Sequence, residues 1–86
     1  MSDVALVLYG RAGCHLCEEM RAVVEPVVQQ LGCVLQEVDI TGHAELEGRF
    51  GLEIPVLCIN GRKAFKYRVT EPELRERLGR ATRRRV

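Results

Sequence analysis

The sequence lacks a charge bias, a long apolar run and tryptophan. Its formal net charge is only +1 at pH 7, so no global basic field draws the chain to nucleic acid. The apolar run from Val4 to Leu8 is far too short for a membrane span or a signal-peptide core, and no positive region precedes it. These absences predict a cytoplasmic protein that binds neither nucleic acid nor membranes.

Proline is also sparse, with three residues among 86, and hydrophobic residues make up 47% of the chain against 29% charged residues. This composition excludes a disordered chain. The length suits one small domain, and no linker or repeat divides it. We therefore expect a single domain over residues 1–86, and a monomer.

One local cluster of charge stands out at the end of the chain. The segment 80–86 contains Arg80, Arg83, Arg84 and Arg85. We expect this basic tail to be a frayed, solvated end, with an electrostatic contact to RNA or to an acidic partner as the alternative.

Hydrophobic periodicity predicts the element order β-α-β-α-β-β-α. The expected strands cover 4–9, 33–40, 56–59 and 62–67, and the expected helices cover about 15–31, about 41–50 and the segment from residue 70 onward. The first two strands are joined by a helix and should be parallel, whereas Asn60-Gly61 predicts a tight antiparallel hairpin. The sequence thus predicts an α/β protein with a mixed four-stranded sheet and helices on both faces.

Helix boundaries carry their own local patterns. The first helix has one apolar stripe, formed by Cys17, Met20, Val24, Val27, Val28 and Leu31. We expect Pro26 to kink this helix without ending it, and Gly32 to end it. Thr41 is predicted to cap the second helix.

The last helix begins with a capping-box pattern, in which Thr70 and Glu73 satisfy each other's backbone donors. Val69 and Leu74 fit a hydrophobic staple around it, and Leu74 and Leu78 should face the core.

The two cysteines of "CHLC" lie where the first strand passes into the first helix, with Cys14 at or near the N-cap and Cys17 one turn in. Residues three apart on a helix share a face, close enough to form a disulfide. The unpaired N–H groups of a helix start favour a thiolate at Cys14 and should lower its pKa. Since Cys17 belongs to the apolar stripe, it should be the less exposed thiol. A C-x-x-C near a βαβ pattern indicates a thioredoxin-like redox motif.

A metal clamp is the main alternative for this cysteine pair, and it needs further ligands. Cys33 and Cys58 are solitary residues on different predicted strands, where small core positions are their usual role. His43 is expected at the surface. His15 has two interpretations that stay open, a solvent-facing residue or a cation that stabilises the Cys14 thiolate.

Several segments together resemble the glutaredoxin branch of the thioredoxin superfamily, and more narrowly the short bacterial glutaredoxin-like proteins. They are "LVLYGRAGCHLCEEM", "VLQEVDI" and "GRFGLEIPVLCING", followed by a terminal amphipathic helix. The resemblance covers about residues 4–78 and implies a thioredoxin-like fold. It implies that Cys14 is the nucleophile and Cys17 the resolving thiol.

The same resemblance assigns roles to the residues around the dithiol. Pro55 matches the family's cis-proline, and Ile54 the residue whose backbone pairs with substrate. Tyr9 matches the aromatic residue that ends the first strand. Arg11 falls where a basic residue meets the glycine carboxylate of glutathione. For Tyr9 and Arg11, a packing tyrosine and a solvated arginine are the alternatives.

The chain also departs from the family pattern. The Gly-Gly bend that holds glutathione is missing from "KYRVTEPEL", where Arg68, Thr70 or Glu71 would have to substitute. Tryptophan, which belongs to the thioredoxin motif, is absent. These departures leave the substrate or co-substrate of the dithiol undetermined, whereas both cysteines of the motif are present.

The sequence and the resemblance together predict a dithiol thiol–disulfide oxidoreductase that reduces protein disulfides or glutathione mixed disulfides. A thiol reductant would regenerate it, no bound cofactor would be required, and glutathione is a candidate co-substrate. The alternatives are an iron–sulfur or zinc carrier that uses the same cysteines, and a non-catalytic thioredoxin-fold binding module.

Overall fold

The computed structural model describes residues 4–83. The elements are β1 (Ala5–Gly10), α1 (His15–Leu31), β2 (Val34–Asp39), α2 (Ala44–Phe50), β3 (Val56–Ile59), β4 (Arg62–Lys66) and α3 (Glu71–Arg83). The predicted element order is confirmed. None of the helices found between residues 4 and 83 is long and apolar enough to cross a membrane.

The four strands form one sheet in the order β2-β1-β3-β4. Strand β1 runs parallel to β2 and antiparallel to β3, with Tyr9 opposite Val56. Strands β3 and β4 form an antiparallel hairpin, and Asn60 and Gly61 at its turn both have positive φ, 51° and 83°. The predicted mixed sheet and its hairpin turn are therefore confirmed.

Helices cover both faces of the sheet. Successive side chains of a strand point to opposite faces, and β3 supplies buried residues to both. Leu57 and Ile59 pack with the buried residues of α1 and α3, whereas Val56 and Cys58 pack with Ile40 and with Phe50 of α2. Two small hydrophobic clusters thus hold the sheet from opposite sides, which confirms the predicted α/β architecture.

Helix α1 follows its predicted apolar stripe, and its buried residues are Cys17, Met20, Val24, Val27 and Val28. The helix continues through Pro26 and ends at Gly32, whose φ of 71° is left-handed. Leu31 is the exception: the predicted apolar stripe includes it, but the residue is 41% exposed and is not buried with the others. Leu31 holds the last helical position, so no further turn shields it, and Cys33 packs against the core instead.

Helix α2 begins later than its sequence pattern predicts. Its N-cap is His43, which makes no side-chain capping bond, so the prediction of Thr41 as the cap is wrong. The Thr41 N–H instead donates to Asp39 Oδ1 at 2.9 Å, and Gly42 has a φ of 83°. A turn stabilised by Asp39 therefore separates β2 from α2.

Helix α3 starts with the predicted capping box. The Thr70 N–H donates to Glu73 Oε1 at 3.1 Å, and the Glu73 N–H donates to Thr70 Oγ1 at 3.3 Å. The helix runs through Arg83, so the first part of the segment predicted to be a frayed tail is helical. The rest of that predicted tail, with Arg84 and Arg85, lies outside the described residues.

Candidate dithiol active site

The cysteine motif occupies the short loop between β1 and α1. The loop is closed by the Cys14 N–H, which donates to the Arg11 carbonyl at 3.3 Å, and Gly13 adopts a φ of 78°. Cys14 is the N-cap of α1, with extended backbone angles of −85° and 114°. Its carbonyl accepts the Glu18 N–H at 3.1 Å, which is the first hydrogen bond of the helix. The motif thus lies at the helix start, where the sequence placed it.

Cys14 and Cys17 face each other across the first turn of α1. Their Sγ atoms lie at disulfide-bonding distance, and their Cα atoms are 5.2 Å apart. Cys14 is half-buried, while Cys17 is only 8% exposed. The predicted difference in exposure is confirmed, and Cys14 is the more accessible of the two residues.

The sulfur of Cys14 takes the place that a capping side chain usually fills. The backbone N–H of Cys17 donates to Cys14 Sγ at 3.2 Å. A helix start presents N–H groups without intrahelical partners, together with a partial positive charge. This donor therefore favours a negatively charged sulfur whenever the pair is reduced.

Gly10, at the end of β1, makes room for Cys17. A Cβ placed on Gly10 would lie 2.8 Å from Cys17 Sγ and 3.2 Å from Cys17 Cβ. Any side chain here would push against the dithiol. The strand predicted over 4–9 ends just before Gly10, and a glycine at such a position can mark the close approach of another group.

The Ile54–Pro55 peptide bond is cis. Pro55 is buried, and its carbonyl accepts the Tyr67 N–H at 2.8 Å. Because Tyr9 pairs with Val56 in antiparallel strands, Pro55 lies at the same end of the sheet as Gly10 and the cysteine loop. Ile54 is half-buried and packs on the cluster around Phe50. The structure thus brings Pro55 and Ile54 to the same end of the sheet as the cysteine loop.

The three other predicted site residues make contacts of different kinds. Tyr9 stacks on Phe50 with ring centroids 4.5 Å apart, so it packs in the second cluster. Arg11 forms an ion pair with Glu47 of α2. The side chain of His15 is 88% exposed, and its Nε2 lies 3.5 Å from Glu19 Oε2. The described partner of His15 is therefore a carboxylate rather than the Cys14 sulfur.

The bend after β4 is built without glycine. Tyr67 has a φ of 70°, a conformation that is uncommon for a bulky residue. Its N–H bonds to Pro55, and its Oη donates to the Leu52 carbonyl at 3.1 Å. The Arg68 N–H donates to the Lys66 carbonyl at 2.8 Å and closes a tight turn around Tyr67. The sequence predicts no role for Tyr67, because a tyrosine gives no residue-type signal for a positive φ.

The candidates for replacing the Gly-Gly bend have other partners. Thr70 belongs to the capping box of α3, and Glu71 pairs with Arg75 at 2.8 Å. Arg68 is exposed, and its Nη1 lies 3.8 Å from Glu19 Oε1. Of the three, only Arg68 reaches toward the first turn of α1.

A cleft of about 430 Å³ opens beside the buried thiol. It is lined by Leu8, Gly10, Arg11, Ala12, Gly13, Cys17, Glu18, Arg21, Glu37, Val38 and Asp39. Hydrogen bonds from the Thr41 N–H and hydroxyl hold the pKa of the Asp39 carboxyl below its ordinary value, with smaller contributions from Ala12 and Arg11. The wall of the cleft therefore contains an ionised carboxylate beside a guanidinium.

The remaining cysteines lie apart from this site. Cys58 is buried in the second cluster, and burial raises the pKa of its thiol. Cys33 packs against the first cluster. Within residues 4–83, no three His, Cys, Asp or Glu side chains come together in an arrangement that could hold a metal ion.

The fold and this site define a class of protein, the thioredoxin-fold proteins with a cysteine pair at the start of the first helix. Within that class, residues 5–79 match the model of the glutaredoxin-like domain family (DUF836), and the chain belongs to this family.

Three similar proteins illustrate the relationship. The uncharacterized protein Rv0508 of Mycobacterium tuberculosis is 30% identical over 95% of this chain and 90% of its own. The structure of target protein XcR50 from X. campestris has a TM-score of 0.70 at 36% identity, covering 87% of this chain and 96% of that chain. A mutant thioredoxin from Halobacterium salinarum has a TM-score of 0.65 at 23% identity, covering 94% of this chain and 76% of that chain. The thioredoxin shares the fold.

Proposed function

We propose that this protein is a dithiol thiol–disulfide oxidoreductase, with Cys14 as the nucleophile and Cys17 as the resolving thiol. The observation that carries the proposal is the hydrogen bond from the Cys17 N–H to Cys14 Sγ, with Cys17 Sγ within bonding reach. The Cys14 sulfur is thereby held in a place that favours its anion, and the Cys17 sulfur lies within reach to attack Cys14 once Cys14 is in a mixed disulfide.

The proposed cycle begins with the reduced pair. The Cys14 thiolate attacks one sulfur of a substrate disulfide, the substrate S–S bond breaks, and the leaving thiolate takes up a proton. Cys17 then loses its proton and attacks Cys14 Sγ in the mixed disulfide. The second substrate thiol leaves, and the Cys14–Cys17 disulfide remains. A thiol reductant returns the two electrons and two protons, so the cycle requires no bound cofactor.

The proposed substrates are protein disulfides or glutathione mixed disulfides. The Ile54–Pro55 segment, which precedes β3 at the dithiol end of the sheet, supports a peptide-like substrate, because an extended chain could pair there with the backbone of Ile54. Leu52, just before this segment, is 94% exposed. An exposed leucine next to the proposed docking segment offers apolar contact to a protein substrate.

The test is thiol alkylation as a function of pH, with Cys14→Ser, Cys17→Ser and the matched control Cys33→Ser. We expect the pKa of Cys14 to lie below the ordinary cysteine value of about 8.5 and its alkylation to dominate near pH 7. Cys14→Ser should abolish both this fast reaction and the reduction of a disulfide substrate. Cys33→Ser should leave both unchanged.

Two results would contradict the proposal. One is a Cys14 that reacts no faster than Cys33 near neutral pH. The other is a Cys14→Ser variant that keeps its disulfide-reducing activity. The other sequence predictions, of a cytoplasmic monomer that uses no nucleic acid or membrane partner, stay predictions.

A further inference from the structure

We propose that Glu47 sets the charge preference of the dithiol by neutralising Arg11, so that disulfides without a nearby carboxylate are the better substrates. This inference rests on the proposed function and deepens it, since it names the substrate class. It concerns the contact between Arg11 in the cysteine loop and Glu47 in α2, two residues that lie 36 positions apart in the sequence.

Arg11 is the cation nearest in sequence to the cysteine motif. Its carbonyl accepts the Cys14 N–H, and Arg11 and Cys17 are both among the residues that line the cleft. A guanidinium in this position would attract a substrate that carries a carboxylate next to its disulfide, because arginine recognises carboxylates through paired hydrogen bonds. Left unpaired, Arg11 would therefore favour anionic disulfides.

The guanidinium is already engaged. Arg11 Nη2 bonds to Glu47 Oε1, and the two side chains are only 36% and 39% exposed. The other oxygen of Glu47 accepts the Gly42 N–H at 3.2 Å, which holds the carboxylate in place. Arg11 Nη2 also lies 3.5 Å from the position that a Cβ on Gly51 would take, so the guanidinium lies beside the last turn of α2.

A second carboxylate, that of Asp39, belongs to the same cleft as Arg11. Asp39 lines the cleft, and the charge of Arg11 contributes to its lowered pKa. Arg11 thus pairs directly with Glu47 and has a second carboxylate, Asp39, in the same cleft. An incoming substrate carboxylate would have to displace Glu47 and approach Asp39, both of which oppose its binding. Neutral and basic disulfides meet no such opposition.

The experiment measures the charge preference directly at Cys14. Reduced, full-length protein is treated separately with neutral iodoacetamide and anionic iodoacetate, and modification of Cys14 is followed by mass spectrometry. In both reactions the thiolate displaces iodide and forms a carbon–sulfur bond. The iodoacetate-to-iodoacetamide rate ratio therefore reports the electrostatic potential at the sulfur, independently of its nucleophilicity.

We expect Glu47→Gln to raise this ratio about threefold, since the carboxylate that offsets the charge of Arg11 is removed in partly screening solvent. Arg11→Gln should lower the ratio, because it leaves the Glu47 carboxylate unpaired. The double variant should return toward the wild-type ratio. With disulfide substrates, Glu47→Gln should accelerate reduction of dianionic dithiodipropionate and leave that of neutral hydroxyethyl disulfide unchanged.

Glu45→Gln is the matched control, because Glu45 is an exposed residue of the same helix and the charge change is identical. Its ratio should stay within about 1.5-fold of wild type. Equal ratios for Glu47→Gln and Glu45→Gln would overturn the inference. So would loss of the native fold, seen by circular dichroism, in both Glu47→Gln and Glu47→Ala, because the carboxylate would then be structural.

The result that would overturn the proposed function differs from the result that would overturn the role of Glu47. The alkylation ratio needs only a reactive Cys14, so it can be measured even if no disulfide is reduced. An unchanged ratio with intact disulfide reduction would overturn the role of Glu47 alone. Absence of disulfide reduction by the wild-type protein would overturn the proposed function.

Discussion

Gly10 and Cys17 lie so close that a single methyl group on Gly10 would stand 2.8 Å from the Cys17 sulfur. The end of β1 and the first turn of α1 therefore touch through a glycine and a buried thiol. The buried Cys17 thiol is held in place by this contact from the sheet as well as by the helix that carries it.

Gly10→Ala is expected to destabilise the protein by about 1–3 kcal/mol, because the added methyl group must displace Cys17 in a packed region. Chemical denaturation of the reduced protein measures this change. Gly48→Ala is the matched control, since nothing lies within 4 Å of a Cβ at Gly48 and the residue is inside α2. That variant should gain about 0.5–1 kcal/mol. Equal effects of the two alanines would contradict the contact.

Thr70→Ala should lower the free energy of unfolding by about 1 kcal/mol, because the Glu73 N–H loses its capping acceptor. Urea denaturation monitored by circular dichroism would measure the loss. Thr70→Ser keeps the hydroxyl and should retain most of the stability. If serine were as damaging as alanine, the hydrogen bond would not be the source of the effect.

The stability conferred by Asp39 should depend on pH. Its carboxyl has a lowered pKa in the folded protein, chiefly through hydrogen bonds from Thr41. A group with a depressed folded pKa stabilises the fold above its unfolded pKa of about 4, and this stabilisation disappears as pH falls through the folded value. The difference in unfolding free energy between wild type and Asp39→Asn, measured in urea, should therefore shrink below pH 4. A difference that is constant from pH 7 to pH 2.5 would refute this.

Cys58 should be nearly inert in the folded protein. Burial raises the pKa of its thiol and also restricts access to it. At pH 8 we expect iodoacetamide to modify Cys58 at least about tenfold more slowly in the native protein than in urea. The unfolded thiol loses its proton first, so this residue should also lower stability as pH rises above about 8.5. Equal native and unfolded rates would exclude this protection.

Much of the fold was predictable because its determinants are local. The apolar stripe of α1, the Asn60-Gly61 turn and the Thr70 capping box each involve residues within a few positions of one another. Where a local pattern failed, a competing contact explains it. Thr41 has a residue type that suits an N-cap, yet it serves the turn held by Asp39.

The candidate site also combines features that local sequence predicts with features that it does not predict. The cysteine spacing at a strand–helix junction determines that Cys14 and Cys17 share one helical turn, since three residues on a helix bring two side chains to the same face. The residue types around Tyr67 do not predict its positive φ. A local bond from the Arg68 N–H to the Lys66 carbonyl closes the turn, and Tyr67 also bonds to the carbonyls of Pro55 and Leu52, which lie at least twelve residues earlier in the chain.

The sequence by itself determined the order of the elements, the residues that begin and end α1, the capping box that begins α3 and the position of the dithiol at a helix start, because each depends on neighbours along the chain. Only the tertiary structure decided that Gly10 must leave room for Cys17 and that Arg11 is held by Glu47. Those two contacts join segments that meet only after the sheet and helices have packed, so no local pattern specifies them.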